Sequence, residues 1–274
     1  TRVIDSITRL LEGLIRLLLP LVVVAALSFL VSLPVAGLGL LWQTGSGTSL
    51  LLWLTAVALF CVNAVYQTGD DAPPYPRYLH GMIAAGVLAL PILGALGSYG
   101  LGLRVAQYGW TVERCAAAVV CALLVLFSFG YAYGVVRRQL GWTRTLAAVN
   151  TRMGMVVLVA MLLVNTPMAD FRRISLGSQV ARVESGELDW ADYDFYYASR
   201  HLARPGHLHM QALLAEVADT DPELAQLIEK PVRMSAAVAL SERQAIWASM
   251  TYRPEDLVLP PALKATIDAS WVLD

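Results

Sequence analysis

Five long apolar stretches dominate this chain, and none has an Asp, Glu, His or Lys in its middle. A helix that crosses the hydrocarbon of a bilayer needs about 20 mainly apolar residues. The expected spans are 14–34 (interrupted by Pro20), 50–66, 79–103 (carrying Pro91), 115–136 and 146–166. A proline inside a span is tolerated where neighbouring helices re-satisfy the freed carbonyl. Trp42, Trp53, Trp110 and Trp142 fall near predicted ends, where an aromatic belt belongs. Composition agrees: 57% of the 274 residues are hydrophobic and 15% are charged. Those proportions exclude a wholly soluble enzyme, a disordered chain and a nucleic-acid binder.

The charges divide the chain in two. Residues 1–166 carry 10 basic and 5 acidic side chains, whereas 167–274 carry 10 basic and 16 acidic ones, so the net charge of −1 conceals a basic membrane part and an acidic polar part. We expect an all-α protein: a transmembrane domain over 1–166 and a small helical C-terminal domain over 167–274. Ahead of the first span, Ile4, Ile7, Leu10, Leu11 and Leu14 recur at helical spacing with charges between them, which suggests an amphipathic lead-in helix at the interface. In the polar part, Asp221-Pro222-Glu223 is a helix start with an N-cap and a proline at the first position, and Ser241 with Gln244 forms a capping box. Helices are also expected over about 190–202, ending before Pro205-Gly206, and from about 207 to 218. Basic residues concentrate on one side of the spans (Arg2, Arg9, Arg16, Arg77, Arg137, Arg138, Arg144 and Arg152) over the other (Arg104, Arg114, Arg172 and Arg173). That bias puts the N-terminus in the cytoplasm and, after five spans, the polar part outside it.

Chemistry is harder to find. Without an acid or histidine relay inside the spans, coupling to protons has no carrier there. Asn63, Gln67 and Asn165 are polar but lie toward span ends, where interhelical hydrogen bonding is the expected role. Gly130 and Gly134 form a G-x-x-x-G pair that lets helix backbones approach, and packing within the chain is favoured over self-association. Cys61, Cys115 and Cys121 sit in apolar runs and form no disulfide framework or metal spacing. His201, His207 and His209 are weak metal candidates; zinc needs three or four converging ligands, so we assign neither a metal nor a cofactor and expect a solvent-exposed loop there. The acids from Glu184 to Asp194 fail the calcium-loop template, and Asp192 and Asp194 fit a helix start better.

Two stretches carry a resemblance. One is Arg104, Ala106, Gln107, Tyr108-Gly109-Trp110-Thr111 and Arg114, before the fourth span. The other is Ile174-Ser175, Ser178-Gln179, Arg182 and Gly186, followed by Asp194-Phe195. Together they resemble bacterial multi-pass inner-membrane proteins with domain of unknown function 4153, over roughly 14–214. The sequence departs from that pattern at Gly206-His207-Leu208-His209, where the family often has Gly-Arg-Tyr-Gly. The resemblance implies a location and a topology class and brings no catalytic residue. Physically, Gly109 allows a backbone conformation closed to other residues, Trp110 suits the headgroup layer and Thr111 can cap the next helix.

The expected function is therefore structural or interaction-based: an integral inner-membrane component whose C-terminal domain meets a membrane or envelope protein partner. The lipid bilayer is the other partner, and nucleic acid is not one. A transport-related role is the alternative. A third reading, an enzyme of lipid or envelope, would draw on Asp192, Asp194, His207 or His209.

Overall fold

The computed structural model describes residues 2–37, 39, 46–66, 74–231, 233, 234 and 241, and every regular element among them is helical. The elements are α1 (Arg2–Ala36), α2 (Gly47–Val65), α3 (Arg77–Tyr108), α4 (Val112–Arg138), α5 (Leu146–Val164), α6 (Phe171–Glu184), α7 (Phe195–His201), α8 (Ala203–Val217) and α9 (222–231). Short 3₁₀ turns occupy Gln139–Thr145, Pro167–Ala169 and Trp190–Asp192. Gln67, Gln244 and Trp42 lie outside the described residues, as does most of the expected capping box.

Five helices are long and apolar enough to cross a membrane, one for each expected span. The fifth, which is short of purely apolar residues, begins at Leu146 as expected. The chain forms two compact units: 1–108 with 116–166, and 109–115 with 167–274. The loop between α3 and α4 therefore clusters with the polar part, which a division at residue 166 does not anticipate.

In the first unit α1, α2 and α3 pack against one another. Leu19, Leu51, Val62, Ile83 and Leu93 lie in their shared core. The expected lead-in is not a separate helix: α1 runs unbroken for 35 residues, about 52 Å at 1.5 Å per residue, against roughly 30 Å of hydrocarbon. Two polar groupings tie this unit together. Tyr131 Oη donates to Asn150 Oδ1 (2.6 Å), and Asn150 Nδ2 donates to Asn63 Oδ1 (2.7 Å), joining α4, α5 and α2. Tyr66 Oη and His80 Nδ1 share a hydrogen bond of 2.9 Å, and His80 stacks on the fully buried Trp142 at 5.9 Å. A Cβ on Gly130 would come within 2.7 Å of Val149 Cγ1, so α4 and α5 approach closely there, and Gly134 faces Thr145 and the Trp142 carbonyl.

The second unit has its own core, in which Tyr193, Phe195, Leu202, Met210 and Ile228 are buried. Asp221 caps α9 by accepting from Leu224 N at 3.0 Å, so the Asp-Pro-Glu start forms as its sequence dictates. α7 ends at His201, ahead of the Pro205-Gly206 pair as expected, but the pair does not form a loop before the next helix. Both residues lie within the first turns of α8, which already begins at Ala203. Proline is tolerated near a helix start because the donor it lacks has no intrahelical acceptor there. Gly206 is needed for closeness: a Cβ would collide with the Ala198 carbonyl oxygen of α7 and lie 2.8 Å from Leu202 Cβ.

Candidate functional site

The two sequence stretches singled out above meet in the second unit. On α6, Ser175, Ser178, Gln179 and Arg182 are spaced i, i+3, i+4 and i+7, which places them on one helical face. The structure buries Ser175 completely and lays that face against the chain at Gly109-Trp110.

The hydrogen bonds converge on the backbone of Trp110. Its N–H donates to Ser178 Oγ at 3.0 Å, and its carbonyl accepts from Ser175 Oγ at 3.2 Å and Gln179 Nε2 at 3.0 Å. Side chains of α6 thus give an irregular segment the partners that a neighbouring strand would otherwise supply, as a buried backbone requires. Gly109 is fixed here for two reasons. Its φ of +72° lies in the left-handed region, and a Cβ would meet Gln179 Nε2 at 2.9 Å, Arg182 Cδ at 3.0 Å and Ser178 Oγ at 3.1 Å.

The start of α4 completes the site. Thr111 Oγ1 accepts from Arg114 N at 3.3 Å, and Arg114 Nη1 donates to Gly109 O at 2.7 Å. Val112 N, one of the orphan donors of a helix start, donates to Tyr197 Oη at 3.1 Å. Tyr197 Oη is 3.3 Å from Ser175 Oγ, its ring stacks on His201 at 5.4 Å, and its N–H is capped by Asp194 at 2.8 Å. Past α6, Gly186 has φ +76°, Gly186 N donates to Val183 O and Glu187 N to Arg182 O, a Schellman stop. The Arg182 guanidinium reaches Glu187 at 3.6 Å across that turn.

The remaining candidates fall elsewhere. Arg104 lies over the ring of Tyr108 at 5.9 Å, at the end of α3. His207 and His209 stand two apart on α8, where the helical rotation of about 200° sends their side chains to opposite faces. The expected loop is helix because α8 already begins at Ala203. Among the described residues no three His, Cys, Asp or Glu side chains converge on a metal position. Burial lowers the His209 pKa from the usual histidine value, with Glu184 pulling it upward. Asp189 and Asp194 cap the 3₁₀ turn and α7. Sequence reasoning missed the grouping of Tyr66, His80 and Trp142, and it placed Trp142, which is fully buried, in an aromatic belt. Its available signal was that His80 is the one histidine in residues 1–166.

Chemically, the serine hydroxyls, the Gln179 amide and Tyr197 are engaged in holding backbone. The site builds an attachment. The profile of the family described as Domain of unknown function (DUF4153) matches residues 10–208, a range that contains both stretches. No curated protein and no solved structure gives a significant match.

Proposed function

The chain belongs to the DUF4153 family, and we propose that it serves as a structural or interaction component of an inner membrane, with the polar unit presented to a protein partner at the membrane surface. The observation that carries this reading is the Trp110 backbone held by Ser175, Ser178 and Gln179. A tethered tail would leave the membrane part at one point, after α5. This polar unit includes the α3–α4 loop, so the chain passes between the units at 108–109, 115–116 and 166–167. A unit assembled from two separate stretches of the chain is more than a trailing tail, which suits a surface that must be presented to something else.

The same contact supports the span count. Residues 109–115 and 175–182 meet only if an even number of crossings separates them, and α4 and α5 supply two. With the arginine bias, this reading places the N-terminus in the cytoplasm and the polar unit outside it.

Crosslinking in intact cells tests the role. The two lysines of the chain, Lys230 and Lys264, both lie in the polar part. An amine-reactive crosslinker followed by mass spectrometry should recover one recurring membrane or envelope protein attached through them. Recovery of the lone chain, in cells and again after purification in mild detergent, would overturn the proposal.

A further inference from the structure

The two shortest spans carry unpaired polar groups at one depth. α2 and α5 have 19 residues each, against 35, 32 and 27 for α1, α3 and α4. Within α5, Arg152 is exposed, and no acceptor or ion-pair partner reaches it among the described residues. The chain has no acid between Glu113 and Asp170, which stand at the opposite ends of α4 and α5.

A second group lies on α2. Tyr131 is buried, so its phenol proton has to find an acceptor there. It takes Asn150 Oδ1, which turns the Asn150 amide nitrogen toward Asn63 Oδ1. The chain of donors ends at Asn63 Nδ2, whose N–H groups have no acceptor among the described residues, on a residue that is exposed. Asn150 and Arg152 are two residues apart, about 3 Å along the helix axis and about 200° around it. The Asn63 amide and the Arg152 guanidinium therefore share a level on different sides of α5.

The apolar length that remains decides what covers them. From Arg152 to Val164 α5 advances about 18 Å, and from Leu50 to Asn63 α2 advances about 20 Å, against roughly 30 Å of hydrocarbon. α5 is also the least buried of the five candidate spans, so lipid is what surrounds Arg152. A span shorter than the hydrocarbon thins the bilayer locally and sends its polar side chains to the interface. The Cα–Cβ bond of a helical residue tilts toward the helix N-terminus, so Arg152 extends toward the nearer surface, at the Leu146 end.

We propose that Arg152 binds the phosphate of a phospholipid drawn inward over a locally thinned bilayer, with Asn63 donating to headgroup oxygen at the same depth. The guanidinium is a planar fork that holds two phosphate oxygens at once. The inference rests on α2 and α5 crossing the bilayer and is independent of the protein partner proposed above.

The test uses the full chain. Native mass spectrometry after release from nanodiscs of phosphatidylethanolamine and phosphatidylglycerol counts the phospholipid retained. Arg152→Gln should reduce retention several-fold and Arg152→Lys should reduce it less. Arg144→Gln removes an exposed, unpaired arginine from the turn before α5 and should leave retention unchanged. Equal losses at 144 and 152, or none at 152, would overturn the proposal. Arg152 is exposed and unbonded, so thermal unfolding of the Arg152→Gln chain in detergent should match the native chain. A lipid-free chain that binds inorganic phosphate while the nanodisc sample retains no lipid would identify a free-anion site instead. Nitroxides at Thr151 and Leu158, both exposed, report depth. Thr151 should collide mainly with a water-soluble nickel chelate and Leu158 mainly with oxygen. Oxygen dominating at both positions refutes the thinning, and nickel dominating at both refutes the span beneath it.

Discussion

Replacing Gly109 with alanine puts the attachment under direct test. The left-handed backbone costs a non-glycine residue about 1–2 kcal/mol, and forcing a methyl group into a packed position costs roughly 1–3 kcal/mol. The three atoms within 2.9–3.1 Å of the new Cβ belong to Gln179, Arg182 and Ser178. Two of those residues also hold the Trp110 backbone, so yielding to the methyl group weakens the hydrogen bonds themselves. A total of about 3 kcal/mol corresponds to roughly 150-fold in an opening equilibrium. The assay is hydrogen exchange of the full chain in nanodiscs, followed at the peptide containing Trp110 and Val112. Gly109→Ala should speed exchange there by about two orders of magnitude. Gly177→Ala is the control: Gly177 lies within α6 with nothing within 4 Å of an added Cβ, and alanine there should slow exchange, by about 0.5–1 kcal/mol of added helix stability. If Gly109→Ala left exchange at Trp110 unchanged while Gly177→Ala acted as expected, the close approach of α6 to this loop would be wrong.

Two further perturbations probe each unit separately. Because burial holds His209 below its unfolded pKa, the unfolded chain binds the proton more readily. Its neutral form therefore supports α8 fully above about pH 6.5, and that support is lost as the pH falls through the lowered folded value; exchange in α8, corrected for intrinsic rate, should be faster at low pH in the native chain, and His209→Gln should abolish the difference. In the first unit, Tyr131→Phe removes the hydroxyl that donates to Asn150. Interhelical hydrogen bonds between membrane helices average about 0.6 kcal/mol and reach about 1.7, so thermal unfolding in detergent should shift only slightly. A loss above about 3 kcal/mol would assign that hydroxyl a role beyond joining α4 to α5.

Much of the architecture is legible in the sequence because the bilayer imposes one dominant requirement. A run of about 20 residues without charge has few alternatives to a spanning helix, so the spans and even the start of α5 at Leu146 can be read from it. The attachment site is only half legible. Tyr108-Gly109-Trp110-Thr111 reads as a turn with a cap, and its Thr111 cap is present. Ser175, Ser178, Gln179 and Arg182 stand out in the sequence only through the family resemblance, because periodicity reports polarity and cannot report that a bare backbone packs against that face. Pro205-Gly206 marks the end of α7 correctly but places the start of α8 too late: the pair punctuates chains in general, while here Gly206 lies inside α8 because α7 needs a residue without a side chain in order to pack against it. His80 is overlooked because its position in the first turn of α3 looks like a span end, and its burial depends on Tyr66 and Trp142 from distant segments.

The discontinuity of the polar unit also sets an order on its folding. Trp110 leaves the ribosome well before its partners, which are 65, 68 and 69 residues further along the chain. On the proposed topology, two whole spans must be synthesised and inserted before Ser175 can reach it. Until then the Gly109-Trp110 backbone has only water or headgroups to satisfy it, and closing the loop carries the entropy of its length. A chain whose fourth or fifth helix inserts the wrong way leaves Trp110 and α6 on opposite faces of the bilayer. The polar unit then cannot close, which makes its completion a check on the topology of the membrane helices.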